Sequence, residues 1–374
     1  MAKKRLGISL YPEFSTPEQD RAYLEKAAKL GFTQLFIAFL AVKDTAEETL
    51  EKYLPICEYA HSLGFEIEGD VNPLVFDRLG VNASIFHGPV DLEFFKRCGV
   101  DIMRLDFGMS AYEEAVLTQN PQGIKIAING CDATDHVGLL LNNGALPDKL
   151  LGCHNYYPQR YTGIGLDIFQ RSTSNWGLHG MRLQVFVSSQ EPDAFGPWPI
   201  TEGLPTLEMH RNLPISAQVR HFMMMPDVTD VYIGNAFASD VELEAMAAAN
   251  TDCVTFNVEP VEGAPAEQVE HASLPKVRRG DGNADYMVRS LGIRTVESNV
   301  RHPPIAPFNT VPVKRGDVAI CNNRYGQYEG EVHLAIADME NDGKCNVIGH
   351  IAPEEVFLLD FMRGSMPFKL DFSE

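Results

Sequence analysis

The chain has 374 residues, 45% of them hydrophobic and 22% charged, with a formal net charge of −20. These numbers describe a globular protein with one large and one small domain, and no apolar run approaches the length of a membrane span. So negative a chain repels nucleic acid and anionic membranes at long range, so neither is expected as a partner; an anionic substrate must be held by a local cluster of cations.

The N-terminus, Met1-Ala2-Lys3-Lys4-Arg5, is basic, but few apolar residues follow it before Tyr11-Pro12-Glu13. A signal peptide is therefore not expected, and a cytoplasmic location is. From residue 5 to about 250, short apolar runs alternate with amphipathic segments, the pattern of repeated βα units around a parallel sheet. Strands are expected at 6–10, 34–40, 65–70, 101–106, 124–129, 150–154, 182–187 and 231–235. Thr16-Pro17-Glu18-Gln19 supplies an N-cap, a first-turn proline and a capping-box glutamine for the first helix, which Gly31 stops. The second helix spans about 46–63, and a final one, 239–250, closes the series. Eight strands in about 245 residues predict a (β/α)8 barrel. An open doubly wound sheet would instead call for a glycine-rich turn after the first strand, where this chain has Ser9-Leu10-Tyr11-Pro12-Glu13. A smaller β-rich domain is expected over 251–374, with strands near 317–321, 331–337 and 346–351.

Barrel chemistry sits at the carboxyl ends of the strands. Those ends carry Glu13, Asp70, Arg104 with Asp106, Asn129, His154 with Asn155, Ser188 with Ser189, and Asn235. A satisfied hydrogen-bond network is the plain reading of any one of them; a whole ring of polar ends calls for more. Asp70 and Asp106 close neighbouring strands, about 4.8 Å apart, so each carboxylate should perturb the other's protonation. Asp70, Asp106 and Glu13 are therefore the candidate catalytic acids, with Arg104 holding Asp106 ionised. The stretch His154-Asn155-Tyr156-Tyr157-Pro158-Gln159-Arg160 is the densest polar and aromatic one in the chain. Tyr157, Gln159 and Asn155 suit a sugar, while Arg160 and His154 suit a phosphate or carboxylate. Trp198, in the rigid loop Gly196-Pro197-Trp198-Pro199, is a candidate sugar platform, and Glu202 a further acid. Cys153 beside His154 is a lesser candidate, as a nucleophile. The seven cysteines (Cys57, Cys98, Cys131, Cys153, Cys253, Cys321, Cys345) have no CxxC spacing and read as reduced thiols. The eleven histidines show no ligand spacing either, so no metal and no cofactor are expected.

Several runs resemble a bacterial family that includes the 6-phospho-N-acetylmuramidases. They are Gly7-Ile8-Ser9-Leu10-Tyr11-Pro12-Glu13, Asp70-Val71-Asn72-Pro73, Arg104-Leu105-Asp106, Leu151 to Gly163, Gly196-Pro197-Trp198-Pro199, Glu208 to Pro214 and Ile233-Gly234-Asn235-Ala236. Val277-Arg278-Arg279-Gly280-Asp281, Tyr286 to Ser290 and Asn322 to Gly326 extend the likeness to the C-terminus. The resemblance implies a cyclophilin-like β-barrel as the second domain. It also implies hydrolysis of a 6-phosphorylated muramyl–glucosamine glycoside in cell-wall recycling, with a small phosphorylated sugar as partner. Arg104, His154 and Arg160 would seat the anion, with Arg279 and Arg289 as further candidates. One departure is that the family's Lys-Ile-Glu-Leu-Asn reads Lys125-Ile126-Ala127-Ile128-Asn129 here. The other classes consistent with the residues are a phosphosugar isomerase, epimerase or lyase on the same barrel, and a non-enzymatic carbohydrate-binding protein. A homodimer is left open.

Overall fold

The computed structural model describes residues 2–280, 284–291 and 304–372. The segment Lys4–Ala248 forms one compact unit and the chain from Ala249 onward the core of a second. In the first unit the order is β1 (Arg5–Leu10), α1 (Pro17–Lys29), β2 (Gln34–Ala38), α2 (Ala46–Ser62), β3 (Glu66–Val71), α3 (Pro73–Leu79), α4 (Glu93–Arg97) and β4 (Ile102–Leu105). It continues with α5 (Ala111–Leu117), β5 (Lys125–Asn129), α6 (His136–Asn142), β6 (Leu150–Cys153), α7 (Leu166–Leu178), β7 (Leu183–Val187), α8 (Ile215–Met223), β8 (Asp230–Ile233) and α9 (Asp240–Ala249). All eight strands pair in parallel, and β8 returns to β1 to close the barrel.

The expected strands are all present. Four of them, β2, β4, β6 and β8, end a residue or two earlier than the apolar runs suggest, so Asp106, His154 and Asn235 lie just beyond β4, β6 and β8. Helix starts are written locally: Thr16 with Gln19, Thr45 with Glu48 and Ser110 with Glu113 each form a reciprocal capping box.

The barrel interior is a packed core. Phe36, Phe186, Tyr156 and Tyr232 meet there edge-on or tilted, Phe36 and Phe186 at 5.2 Å between ring centres. Gly7 makes room for this packing: a Cβ on it would lie 2.3 Å from Cδ1 of Tyr232. Strand alternation also points Glu66, Glu68 and Asp70 of β3 inward. At the amino-terminal end Arg182 joins Glu66 and Asp230. One layer up, Glu68 accepts from Gln184 and Tyr232, and burial pushes its carboxyl up to about 8.

The second unit holds β9 (Val254–Pro260), α10 (Ala266–Ser273), β10 (Lys276–Val277), β11 (Met287–Arg289), β12 (Asp317–Cys321), β13 (Val332–Ala335), β14 (Cys345–Ile351) and β15 (Pro367–Asp371). Among the described residues its seven strands form one sheet in the order β10-β15-β9-β14-β12-β13-β11. An isolated bridge from Arg278 to Ser290 brings the two edges together, so the sheet is curled into a half-barrel. Of the runs read for their family likeness, Asp281 lies outside the described residues.

Candidate active site at the barrel mouth

The carboxyl ends of β3 and β4 place a bridged pair of carboxylates in the mouth. Asp70 is paired in register with Arg104 on the neighbouring strand. Nη1 of Arg104 donates to Asp70 Oδ1 at 2.7 Å and to Asp106 Oδ1 at 2.8 Å. Two bonds of that length to one nitrogen hold the two oxygens within about 5.5 Å of each other. Nη2 of the same guanidinium donates to Asn155 Oδ1. One arginine therefore ties together three of the expected site residues, drawn from the ends of β3, β4 and β6.

The two carboxylates have different environments. Asp70 is fully buried, and desolvation pushes its carboxyl up to about 7 against the pull of Arg104. Its Oδ2 and Nε of Arg104 are buried without a hydrogen-bond partner among the described residues. Asp106 is a third exposed at its side chain. A carboxyl that keeps its proton near neutrality, beside an accessible one held by a guanidinium, is the pairing needed for acid catalysis with an anionic partner.

Asn155 leads into the loop over the mouth. Tyr156 buries its ring against Phe36 and Phe186 and touches Trp198 at 6.0 Å between centres. Trp198 itself remains 37% exposed. Tyr157 is half-buried and donates to Cys131 Sγ at 3.4 Å. Gln159 and Arg160 are exposed, and Arg160 Nε lies 3.8 Å from Glu202, a loose contact that leaves its guanidinium accessible. Arg211 holds this loop from beneath, donating to the carbonyls of Tyr157, Gln159, Glu202 and Gly203 and pairing with Glu208. It was not among the expected site residues.

Other expectations are corrected. His154 is buried with its ring at 4.6 Å from that of Phe169, bonded to Thr173 Oγ1 at 3.0 Å and next to Cys131 Sγ. Burial lowers its pKa to about 3, so it is a neutral packing histidine and cannot seat an anion near neutral pH. Cys153 is likewise buried and its thiol pushed up, which rules against a nucleophile. Ser188, Ser189 and Asn235 are buried and bonded to one another, to Leu204 and to Glu242. They latch the loops after β7 and β8 together instead of forming a phosphate cradle. Glu13 bonds Lys52 and Tyr53 of α2, with no bond to the Arg104 group among the described residues. Asn129 caps a turn by accepting from Cys131 N at 2.8 Å. Arg279 and Arg289 belong to the second unit, where Arg289 donates to both carboxylate oxygens of Glu331 through Nε and Nη2.

Two features escaped the strand-end reading. Glu68, one layer below Asp70, is a second buried neutral acid; the alternation Glu66-Ile67-Glu68-Gly69-Asp70 was the signal for it. A cavity of about 420 Å³ opens beside the mouth between the segments after β3 and β4, lined by Asn82, Ser84, His87, Phe107, Met109 and Ser110 among others. It begins one residue past Asp106. Ala127 faces the lumen, in register with Arg104, so a carboxylate at that position would stand beside the guanidinium.

Comparison with known proteins adds to this geometry. The family model described as 6-phospho-N-acetylmuramidase, N-terminal, matches residues 6–248, and its C-terminal counterpart matches 254–371. An uncharacterized protein of B. cereus has a similar structure, with a TM-score of 0.87, 36% identity and 99% of each chain covered. A conserved protein of unknown function from Enterococcus faecalis is similar at a TM-score of 0.71 and 25% identity, over 98% of this chain and 96% of that one. No curated protein matches.

Proposed function

Because the chain belongs to the 6-phospho-N-acetylmuramidase family, we propose that its barrel hydrolyses the glycosidic bond of a 6-phosphorylated amino sugar, of the 6-phospho-N-acetylmuramyl–N-acetylglucosamine type, in the recycling of cell-wall sugars. The observation that carries the reading is the Asp70–Arg104–Asp106 bridge at the ends of β3 and β4.

Asp70 acts as the general acid. Its proton is retained near neutral pH because burial disfavours the anion, and it passes to the leaving oxygen as the glycosidic bond lengthens. Asp106, accessible and paired with a guanidinium, faces the positive charge that develops at the anomeric carbon. Retaining glycosidases hold their two carboxyl groups about 5–5.5 Å apart, whereas inverting ones leave about 6.5–9.5 Å for a water. The bound of about 5.5 Å between the bridged oxygens favours the closer class. Within that class Asp106 serves either as nucleophile or as the group that orients the substrate's acetamide. Arg104 carries the two acids as one unit through its bonds to both.

Arg104 is buried with its Nη groups committed to Asp70, Asp106 and Asn155, and His154 is neutral, so the phosphate must be met elsewhere. Arg160, exposed and loosely held, is the cation of the 157–163 loop that suits it. Trp198 offers the apolar face for a sugar ring, and the cavity after β4 offers room for the neighbouring sugar.

The test is turnover of chromogenic N-acetylmuramyl and N-acetylglucosaminyl glycosides, each with and without a 6-phosphate. Cleavage confined to the phosphorylated muramyl substrate is expected, with Arg160→Ala raising KM for that substrate alone. Equal turnover of the unphosphorylated glycosides would remove the phosphate from the reading. Solvent proton exchange without cleavage would replace hydrolysis by isomerase chemistry.

A further inference from the structure

The second unit gathers, on one face of its curled sheet, a group of side chains that the barrel chemistry does not use. Cys321 ends β12 and Cys345 opens β14; they are register partners, with Sγ to Sγ at 3.9 Å. His333 of β13 lies diagonally from Cys321, its Nε2 at 3.6 Å and its Nδ1 at 4.0 Å from that sulfur. One ligand atom from each of the three residues falls within 4.8 Å of the others. Glu331, two residues before His333 and so on the same face, places Oε1 3.1 Å from His333 Nε2. Arg289, the register partner of His333 on β11, fixes Glu331 through bonds of 2.5 and 2.9 Å. A cavity of about 240 Å³ opens onto Cys321 and His333, walled by Met287, Arg289, Tyr325 and Tyr328.

We propose that Cys321, His333 and Cys345 form a zinc-binding site whose fourth coordination position faces this cavity. Tetrahedral zinc, with bonds of about 2.3 Å to sulfur and about 2.0–2.1 Å to nitrogen, sets two thiolate sulfurs about 3.8 Å apart and a sulfur about 3.6 Å from a nitrogen. The sulfurs already meet the first spacing. Glu331 takes Nε2–H, which leaves the Nδ1 lone pair for the metal, and Nδ1 needs to close on the Cys321 sulfur by only a few tenths of an ångström. A carboxylate behind a ligating imidazole fixes its tautomer and ring plane; here that carboxylate is itself clamped by an arginine.

Two thiols and an imidazole are a soft donor set that selects zinc over magnesium or calcium. Binding releases both thiol protons, so the dianionic pair and the dication cancel and the buried site gains no net charge. Three protein ligands instead of four leave room for water or a small Lewis-basic ligand, and the cavity supplies it. All its ligands lie in the second unit, and the proposed glycosidase reaction uses none of them.

The experiment uses the full-length protein, reduced with a phosphine, stripped with a chelator and titrated with cobalt(II), then with zinc(II). One cobalt per chain is expected, with a thiolate-to-cobalt charge-transfer absorption and a tetrahedral visible band, both abolished by one equivalent of zinc. Cys321→Ser and Cys345→Ser should each weaken zinc binding by at least about a hundredfold, and Glu331→Gln by about 10–100-fold, the scale of a lost carboxylate behind a ligand. Cys253→Ser, a thiol of the same unit outside the cluster, should bind as the unaltered chain does. Absence of the sulfur charge-transfer band in the unaltered protein overturns the proposal, whatever the variants do. So does a band that survives in the Cys321→Ser/Cys345→Ser double variant. A Cys321–Cys345 disulfide in the purified protein, with no zinc uptake after reduction, would make the pair a redox element instead and equally overturn it.

Discussion

Asp70→Asn removes the acidic proton from the mouth and almost no volume. The amide can still accept from Arg104 Nη1, which in the parent lies 2.7 Å from Asp70 Oδ1, so Arg104 should keep its place beside Asp106 and Asn155. Loss of a general acid costs about 10²–10⁴ in rate, and the full effect is expected on a substrate with a poor leaving group, such as a sugar alkoxide. A 2,4-dinitrophenyl leaving group departs without protonation, so the variant should retain most of the parental rate on that glycoside. In the parent, an acid with a pKa of about 7 is about 90% protonated at pH 6 and about 10% at pH 8, so kcat/KM should fall about tenfold per pH unit above 7. That limb should vanish in the variant. Measuring kcat/KM from pH 5 to 9 on both glycosides, with parent and variant, decides the matter. Equal losses on the two leaving groups, or an alkaline limb that persists in Asp70→Asn, would refute Asp70 as the acid.

The same burial has a consequence for stability. A carboxyl near 7 in the fold and about 3.9 in the unfolded chain favours the fold fully below pH 3.9, and that contribution is lost as pH rises through 7; the span is on the order of 4 kcal/mol. The melting temperature of the parent relative to Asp70→Asn should therefore decline between pH 4 and pH 8, and a constant difference would show that Asp70 does not titrate there. Ala127→Glu sets a carboxylate beside Arg104, drawing the guanidinium away from Asp70 and adding like charge. The alkaline limb should move to higher pH, and an unmoved limb would separate Ala127 from the acid. His154→Gln should leave KM for the phosphorylated substrate unchanged at pH 6, because the parental ring is already neutral there; a severalfold rise would reinstate it as an anion ligand. Gly7→Ala should cost about 1–3 kcal/mol by overpacking against Tyr232, read as a lowered urea midpoint and partly recovered in Gly7→Ala/Tyr232→Leu.

Much of the architecture was legible in the chain alone. Parallel strands buried on both faces are continuous apolar runs, so eight of them could be counted, and capping boxes such as Thr16 with Gln19 marked the helix starts. Asp70, Arg104 and Asp106 could be placed together because adjacent parallel strands keep neighbouring ends in register. The same rule does not reveal which way a residue beyond the strand end turns. His154 follows β6 as Asp106 follows β4, yet one packs under α7 and the other enters the mouth.

The local pattern of apolar runs, caps and alternating acids thus determined the barrel, its polar rim and the neighbouring of Asp70 and Asp106, since each depends on residues a few positions apart or on adjacent strands. Tertiary structure alone decided the protonation of Asp70 and Glu68, which follows from what surrounds them, and the clamping of the 157–163 loop by Arg211. It also decided the meeting of Cys321, His333 and Cys345. Those three stand twelve residues apart in succession, a spacing no local motif would mark, and only antiparallel pairing brings them to one face, because ligation depends on distance in space and sequence records only distance along the chain.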